Sequence, residues 1–235
     1  MMAERTGRDA GGPSDIVGRI AALPRDWHRA GSLHRRVLEA MERNCRTVSP
    51  MEHTLETGSG KSTLLFSNMS RHHLVFSLDK GESLSRARES GLLRAESVEF
   101  VEGPTQITLP AYKFDFKLQA ALIDGPHAYP FPDLEYYCIY PRLAEGALLI
   151  LDDIDIPTIA RMFGILKADA MFELVEVVKH TAFFRRTDRP LHDPLGDGWW
   201  QQGFNRPLYD KMLRKKKRRE RRKEGWWPFG HRTQG

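Results

Sequence analysis

Apolar residues along this 235-residue chain fall into short runs, each followed by a stretch with helical spacing. Runs at 73–79, 98–101, 118–123 and 147–151 are short enough for strands and rich in Leu, Val, Ile and Phe, and 52–56, around Leu55, reads as a first, half-buried strand. Between them, 61–68, 82–93, 134–143 and 157–167 carry apolar residues at helical intervals, and 172–178 and 182–185 read as two last strands joined by a tight connection. Ahead of this alternation, 15–22 predicts a short helix closed by Pro24. The stripe Leu33, Val37, Leu38 and Met41 predicts another over 33–43. Strand–helix alternation with apolar strands predicts an α/β fold, a doubly wound and mostly parallel sheet covered on both faces. Ligands of such sheets bind beyond the carboxyl ends of the strands, where the strand order reverses.

Five acids fall at those predicted strand ends: Glu56, Asp79, Asp124, Asp152 and Asp153. The first strand runs into Gly58-Ser59-Gly60-Lys61-Ser62-Thr63, a glycine turn that lets backbone approach a nucleotide-like ligand. Two readings of the turn compete. A phosphate-cradling P-loop of an NTPase requires a glycine five positions before Gly60, where Leu55 stands, and Glu56 would repel phosphate. The strand 148–151 ending at Asp152 keeps that alternative open. The other reading is Glu56-x-Gly58-x-Gly60 as a cofactor turn, with Asp79, 23 residues on, accepting hydrogen bonds from ribose hydroxyls. Asp79 is equally suited to capping the next helix.

Neighbouring parallel strands lie about 4.8 Å apart, so Asp124, Asp152 and Asp153 can converge. Three unpaired carboxylates repel one another, and a divalent cation with oxygen ligands, Mg²⁺ or Mn²⁺, relieves that repulsion. The competing role for these acids is helix capping and loop ordering.

Composition refines the picture in three places. Cys45 and Cys138 are the sole cysteines and have no metal-ligand spacing, so neither a disulfide scaffold nor a zinc module is expected; cytoplasmic residence is. No apolar run approaches the ~20 residues that span a bilayer, and residues 1–13 lack the apolar core of a secretion signal. Residues 211–223 hold ten basic residues and one acid, +9 against a total of +5, which leaves the rest of the chain at −4. The basic character therefore belongs to the tail. With Trp226, Trp227 and Phe229 behind it, that tail is expected to meet an anionic membrane surface or nucleic acid, or to stay a solvated charge run.

The turn Glu56-x-Gly58-x-Gly60, Asp79, the segment Ile123-Asp124-Gly125-x-His127-x-Tyr129 and the strand Leu143-x-x-Gly146-Ala147 through Asp152-Asp153 together resemble class I S-adenosylmethionine (SAM)-dependent methyltransferases. Within them, the chain is similar to the metal-dependent O-methyltransferases of the catechol/caffeoyl and antibiotic-sugar type, over about residues 50–187. The resemblance implies a Rossmann-like seven-stranded sheet with a C-terminal antiparallel strand pair. It implies that Glu56, Gly58 and Gly60 surround the methionyl part of SAM while Asp79 holds the ribose. It also implies that Asp124, Asp152 and Asp153 bind a divalent metal that orients the hydroxyl of a small molecule or sugar. Asp153 departs from catechol-type members, which often have Asn there. His127 stands where those enzymes place a lysine base, and its ordinary pKa of about 6.5 suits proton abstraction. The expected layout is a flexible lead over 1–30, the methyltransferase domain at 31–190, a lid or clasp at 191–208 and a basic aromatic tail at 209–235. A methyltransferase fold used as a nucleic-acid-binding scaffold is a third reading. Lys61 is expected to face solvent.

Overall fold

A computed structural model describes residues 15–27 and 32–224. The strands are β1 (His53–Thr57), β2 (His72–Ser77), β3 (Val98–Glu102), β4 (Leu118–Ile123), β5 (Leu143–Leu151), β6 (Phe172–Val178) and β7 (Thr181–Arg186). They form one seven-stranded sheet in the order β3-β2-β1-β4-β5-β7-β6. Strands β1 to β5 run parallel, and β7 pairs antiparallel with both β5 and β6. This is the Rossmann-like arrangement with the expected C-terminal antiparallel pair. The strand order reverses between β1 and β4, which places the ligand crevice over their carboxyl ends.

Alternating residues of the central strands feed two cores. On β5, Leu148 and Ile150 face one side, together with Ala120, Leu122 and Phe183. Helices α1 (Asp15–Ala21), α2 (Arg35–Cys45) and α3 (Lys61–Met69) cover that side with Val17, Ile20, Leu38, Met41, Leu64 and Phe66. Leu149 and Leu151 face the other side with Leu55, Phe76 and Phe184. Two helices there are α6 (Phe131–Ile139) and α7 (Pro157–Ala168), preceded in the chain by α4 (Ser83–Arg88) and α5 (Thr105–Ala111). Each fully buried Leu or Phe in these layers contributes about 1.5–3 kcal/mol relative to exposure.

Four boundaries differ from expectation, each for a local reason. Residues 15–27 do not belong to a flexible lead: Val17 and Ile20 are fully buried against α3, while 1–14 and 28–31 lie outside the described residues. Helix α5 was hidden by Pro104 and Pro110, although Pro104 sits at its N-cap, where no helical N–H is needed. Strand β5 begins four residues early because Gly146 adopts φ +76 and lets the chain turn without ending the strand. The tail is helical throughout its described part, α8 (Arg206–Glu224); residues 225–235, including the tryptophans, lie outside the described residues.

Candidate active site

The crevice over β1, β2, β4 and β5 is a cavity of about 620 Å³, within the range typical of small-molecule sites. Its lining includes Gly58 to Ser62, Ser77, Leu78, Gly103, Thr105 and Phe131 together with Asp124, His127, Asp152 and Asp153. The glycine turn and the late aspartates therefore share one chamber, as the strand-end pattern predicts.

The glycine turn is held from below. Gly58 has φ +91 and donates its N–H to the Phe76 carbonyl at 2.9 Å. A Cβ at Gly58 would stand 2.6 Å from the Asp124 carbonyl oxygen, so only glycine fits. The Gly60 N–H donates to Thr63 Oγ1 at 2.9 Å, and the Thr63 hydroxyl donates to Glu56. Glu56 is fully buried, with His73 Nε2 3.3 Å from its Oε1. Thus Glu56 does not line the cavity: it anchors the turn from beneath. Its expected contact with SAM is corrected to a supporting role, because its side chain points at α3 and β2 instead of the crevice.

Asp79 takes the capping role. Its carboxylate accepts from the N–H groups of Leu84 and Ser85 at 3.1 and 3.3 Å and from the Ser85 hydroxyl. The Ser85 hydroxyl and these N–H groups hold its pKa below the usual carboxylate range. The cavity wall at this strand end is Ser77, Leu78 and Lys80, which flank Asp79 in the chain. Ser77 and Ser83 flank the Ser59 hydroxyl at 3.1 and 3.0 Å, a polar cluster that no motif announced. Lys61 is buried, not solvent-facing, and its Nζ donates to the Leu23 carbonyl at 2.7 Å, tying the segment after α1 to the cofactor turn.

Ligand atoms of Asp124, His127 and Asp153 all lie within 4.8 Å of one another. His127 Nε2 is 3.2 Å from Asp153 Oδ2 and 3.7 Å from Asp124 Oδ1. Asp153 adopts a left-handed backbone, φ +54, that turns its carboxylate back toward His127. Asp152 also lines the chamber, yet its Oδ1 accepts the Thr181 hydroxyl. The most compact set among the described residues is Asp124, His127 and Asp153, with Asp152 lining the same chamber. Burial pushes the Asp124 carboxyl up to about 7, with the Asp152 charge adding to it, and burial likewise raises Asp152. The Asp124 carboxylate beside it raises the His127 pKa, with Asp153 and Asp152 adding to it. Crowded, partly buried carboxylates with an imidazole beside them fit a hard divalent cation, which would take up the repulsion these shifts express.

Behind this wall, Thr57 links the two halves. Its hydroxyl donates to Glu135 Oε2 at 2.9 Å and accepts the Asp124 N–H at 3.1 Å. Gly125 is what admits Glu135, since a Cβ there would stand 2.2 Å from Glu135 Oε1. Segment 191–208 contributes nothing to the chamber. Gly203 packs on the Ala168 carbonyl and Trp199 lies edge-on to Tyr209 at 5.7 Å, so the segment packs between the end of α7 and the start of α8.

Among curated proteins, none matches the sequence. Solved structures that are similar include a Staphylococcus aureus protein named after the caffeoyl-CoA O-methyltransferases, at TM-score 0.59 and 13% identity over 74% of this chain and 93% of that one. The O-methyltransferase TomG of Streptomyces achromogenes, solved with SAM, superposes at TM-score 0.57 and 13% identity, covering 76% and 92%. The Podospora anserina methyltransferase PaMTH1 does so at 0.55 and 15%, covering 77% and 91%. At these identities the likeness speaks for the fold. Residues 55–154, from β1 to just past β5, match the family model described as a methyltransferase domain. With that match and the strand order in hand, residues 55–154 are similar to methyltransferase domains and sit in the Rossmann-like sheet.

Proposed function

We propose that the protein methylates a hydroxyl oxygen of a small molecule or sugar, with SAM as donor and a divalent cation, Mg²⁺ or Mn²⁺, at the acceptor side. The observation that carries this reading is the convergence of Asp124, His127 and Asp153 in the chamber that also holds Gly58 and Gly60. The O-methyltransferase names of the structural relatives support it.

The cavity divides by chemistry. The Gly58–Gly60 backbone with Ser59, Ser77 and Thr105 offers a polar, close-fitting wall for the cofactor. Asp124 and Asp153, with Asp152 beside them, would hold the cation. SAM bound on the glycine wall supplies an electrophilic methyl group, and the cation would lower the pKa of an acceptor hydroxyl and orient it. His127, its Nε2 held 3.2 Å from the Asp153 carboxylate, would accept the hydroxyl proton on its other ring nitrogen, Nδ1. The carboxylates raise the His127 pKa, and a cation shared with them would offset that field and return the imidazole to its basic form at neutral pH.

The test is calorimetric titration of SAM with and without Mg²⁺, on the wild type and on Asp153→Ala, followed by methyl transfer to a panel of hydroxyl acceptors. SAM binding in the wild type and loss of the Mg²⁺ effect in the variant are expected. Failure of SAM to bind under any condition would sink the reading. A phosphate-binding NTPase finds no support in the turn, where Glu56 lies directly beneath Gly60 and Thr63.

A further inference from the structure

Helix α8 carries eleven basic residues and three acids, and residues 211–223 are exposed on every side. Nine of the ten positions from Arg214 to Lys223 are basic, with Glu220 the exception. Among the described residues, no carboxylate pairs with any of these nine. Like charges recur at i and i+4, as in Lys215 with Arg219 and Arg218 with Arg222, a spacing that repels along the helix surface.

The root of the same helix is apolar and also uncovered. Phe204, Leu208 and Met212 recur every four residues and are 57%, 57% and 51% exposed, with Trp200 and Leu213 each 37% exposed close by. Tyr209 packs against Trp199 and Trp200. In the sequence, Trp226, Trp227 and Phe229 follow the basic run within six residues.

We infer that α8 docks the protein on an anionic lipid bilayer surface, its basic residues meeting the headgroups while the Phe204–Leu208–Met212 stripe enters the interface. One partner must satisfy both halves of the helix. A phosphodiester backbone answers the charge but offers nothing to the exposed Phe, Leu and Met side chains. A second copy of the chain could cover the stripe, but it would bring another strongly cationic helix alongside the first. An anionic bilayer presents negative headgroups and an apolar boundary together, and polybasic segments with adjacent aromatics bind there. Among the described residues no helix is long and apolar enough to cross a membrane, so the contact is peripheral.

The experiment is co-sedimentation of the full chain with vesicles of phosphatidylcholine alone or mixed with phosphatidylglycerol, at low and high salt, with a short DNA duplex as competitor. Binding is expected only to the anionic vesicles. Each charge removed, beginning with Lys216→Gln and Arg219→Gln, should lower the partition coefficient about fivefold at moderate salt. The triple variant F204S/L208S/M212S should keep binding at low salt and lose the part that survives high salt. All substituted side chains are exposed, and an unchanged SAM affinity confirms that each variant is folded. Equal binding to neutral and anionic vesicles, no sedimentation with either, or displacement from vesicles by sub-stoichiometric duplex would each overturn the inference, the last in favour of nucleic acid.

Discussion

His127 Nε2 stands 3.2 Å from Asp153 Oδ2, on a different loop. At that distance the imidazole can act as a base or join Asp124 and Asp153 as a ligand, and two substitutions separate the roles. As a base, His127 is oriented by Asp153 and is dispensable for cation binding. Replacing it by Ala should then lower turnover about 10²–10⁴-fold, with SAM and Mg²⁺ affinities within a few-fold of wild type. Asp153→Ala should instead abolish the Mg²⁺ dependence. Calorimetry beside a methyl-transfer assay reads both. Loss of Mg²⁺ binding in the His127 variant would make the imidazole a ligand and not a base.

The turn above β1 tolerates no side chain at its first glycine. Gly58→Ala places a methyl group 2.6 Å from the Asp124 carbonyl and forces φ +91 on an L-residue. Backbone strain of this kind costs on the order of 1–3 kcal/mol, and the shift needed to clear the carbonyl adds to it. For a chain of this size, the melting temperature should fall by roughly 4–10 °C. SAM affinity should fall further than stability does, because the displaced backbone is the cofactor wall. A variant that melts normally and binds SAM normally would mean that the turn is looser than its geometry implies.

Thr63 connects the turn to a buried charge, since its hydroxyl accepts from Gly60 and donates to Glu56. Thr63→Val keeps the shape and removes both bonds, leaving a fully buried carboxylate with His73 beside it and a backbone N–H without a partner. A loss of about 2–3 kcal/mol is expected in urea denaturation, together with weaker SAM binding. Thr63→Ser restores the hydroxyl and should recover most of both. If Val and Ser behave alike, the hydroxyl is not what holds the turn.

The fold was legible because β2, β4 and β5 are apolar runs followed by acids, and β1, though polar but for Leu55, runs into the glycine turn. The same runs located the chamber through Gly58, Gly60, Asp124, Asp152 and Asp153. What the sequence hid were side-chain directions. Glu56 and Asp79 carry the right residue types at the right intervals, yet one points into the α3 layer and the other closes on α4 through Ser85. Periodicity reports which positions are buried, but it does not say which neighbour a buried carboxylate bonds. Ser77 escaped notice for the opposite reason: a single small hydroxyl at a strand's end leaves no pattern. Glu135 was submerged in the aromatic run of α6, where helical spacing marks it only as one more inward-facing position.

That buried Glu135 gives the protein a pH signature separate from catalysis. Burial pushes its carboxyl up to about 7 from an ordinary value of 4.5, against the pull of the Thr105 and Thr57 hydroxyls. Below pH 4.5 the group is protonated in both folded and unfolded chains and does not affect stability. Between 4.5 and 7 the unfolded chain releases its proton while the folded one retains it. The folded state then binds more protons, and stability falls as pH rises. Above 7 both states are ionised and the slope vanishes. The full effect is on the order of 3 kcal/mol. Glu135→Gln removes it, so the stability difference between variant and wild type should grow in the variant's favour from about pH 5 to about pH 8. Urea denaturation of both proteins at four or five pH values measures this difference and cancels the contributions of Asp124 and Asp152. A difference that stays constant across the range would show that Glu135 ionises in the folded protein as it does in the unfolded chain. The carboxyl would then have no part in holding Thr57 and the Asp124 loop through a retained proton.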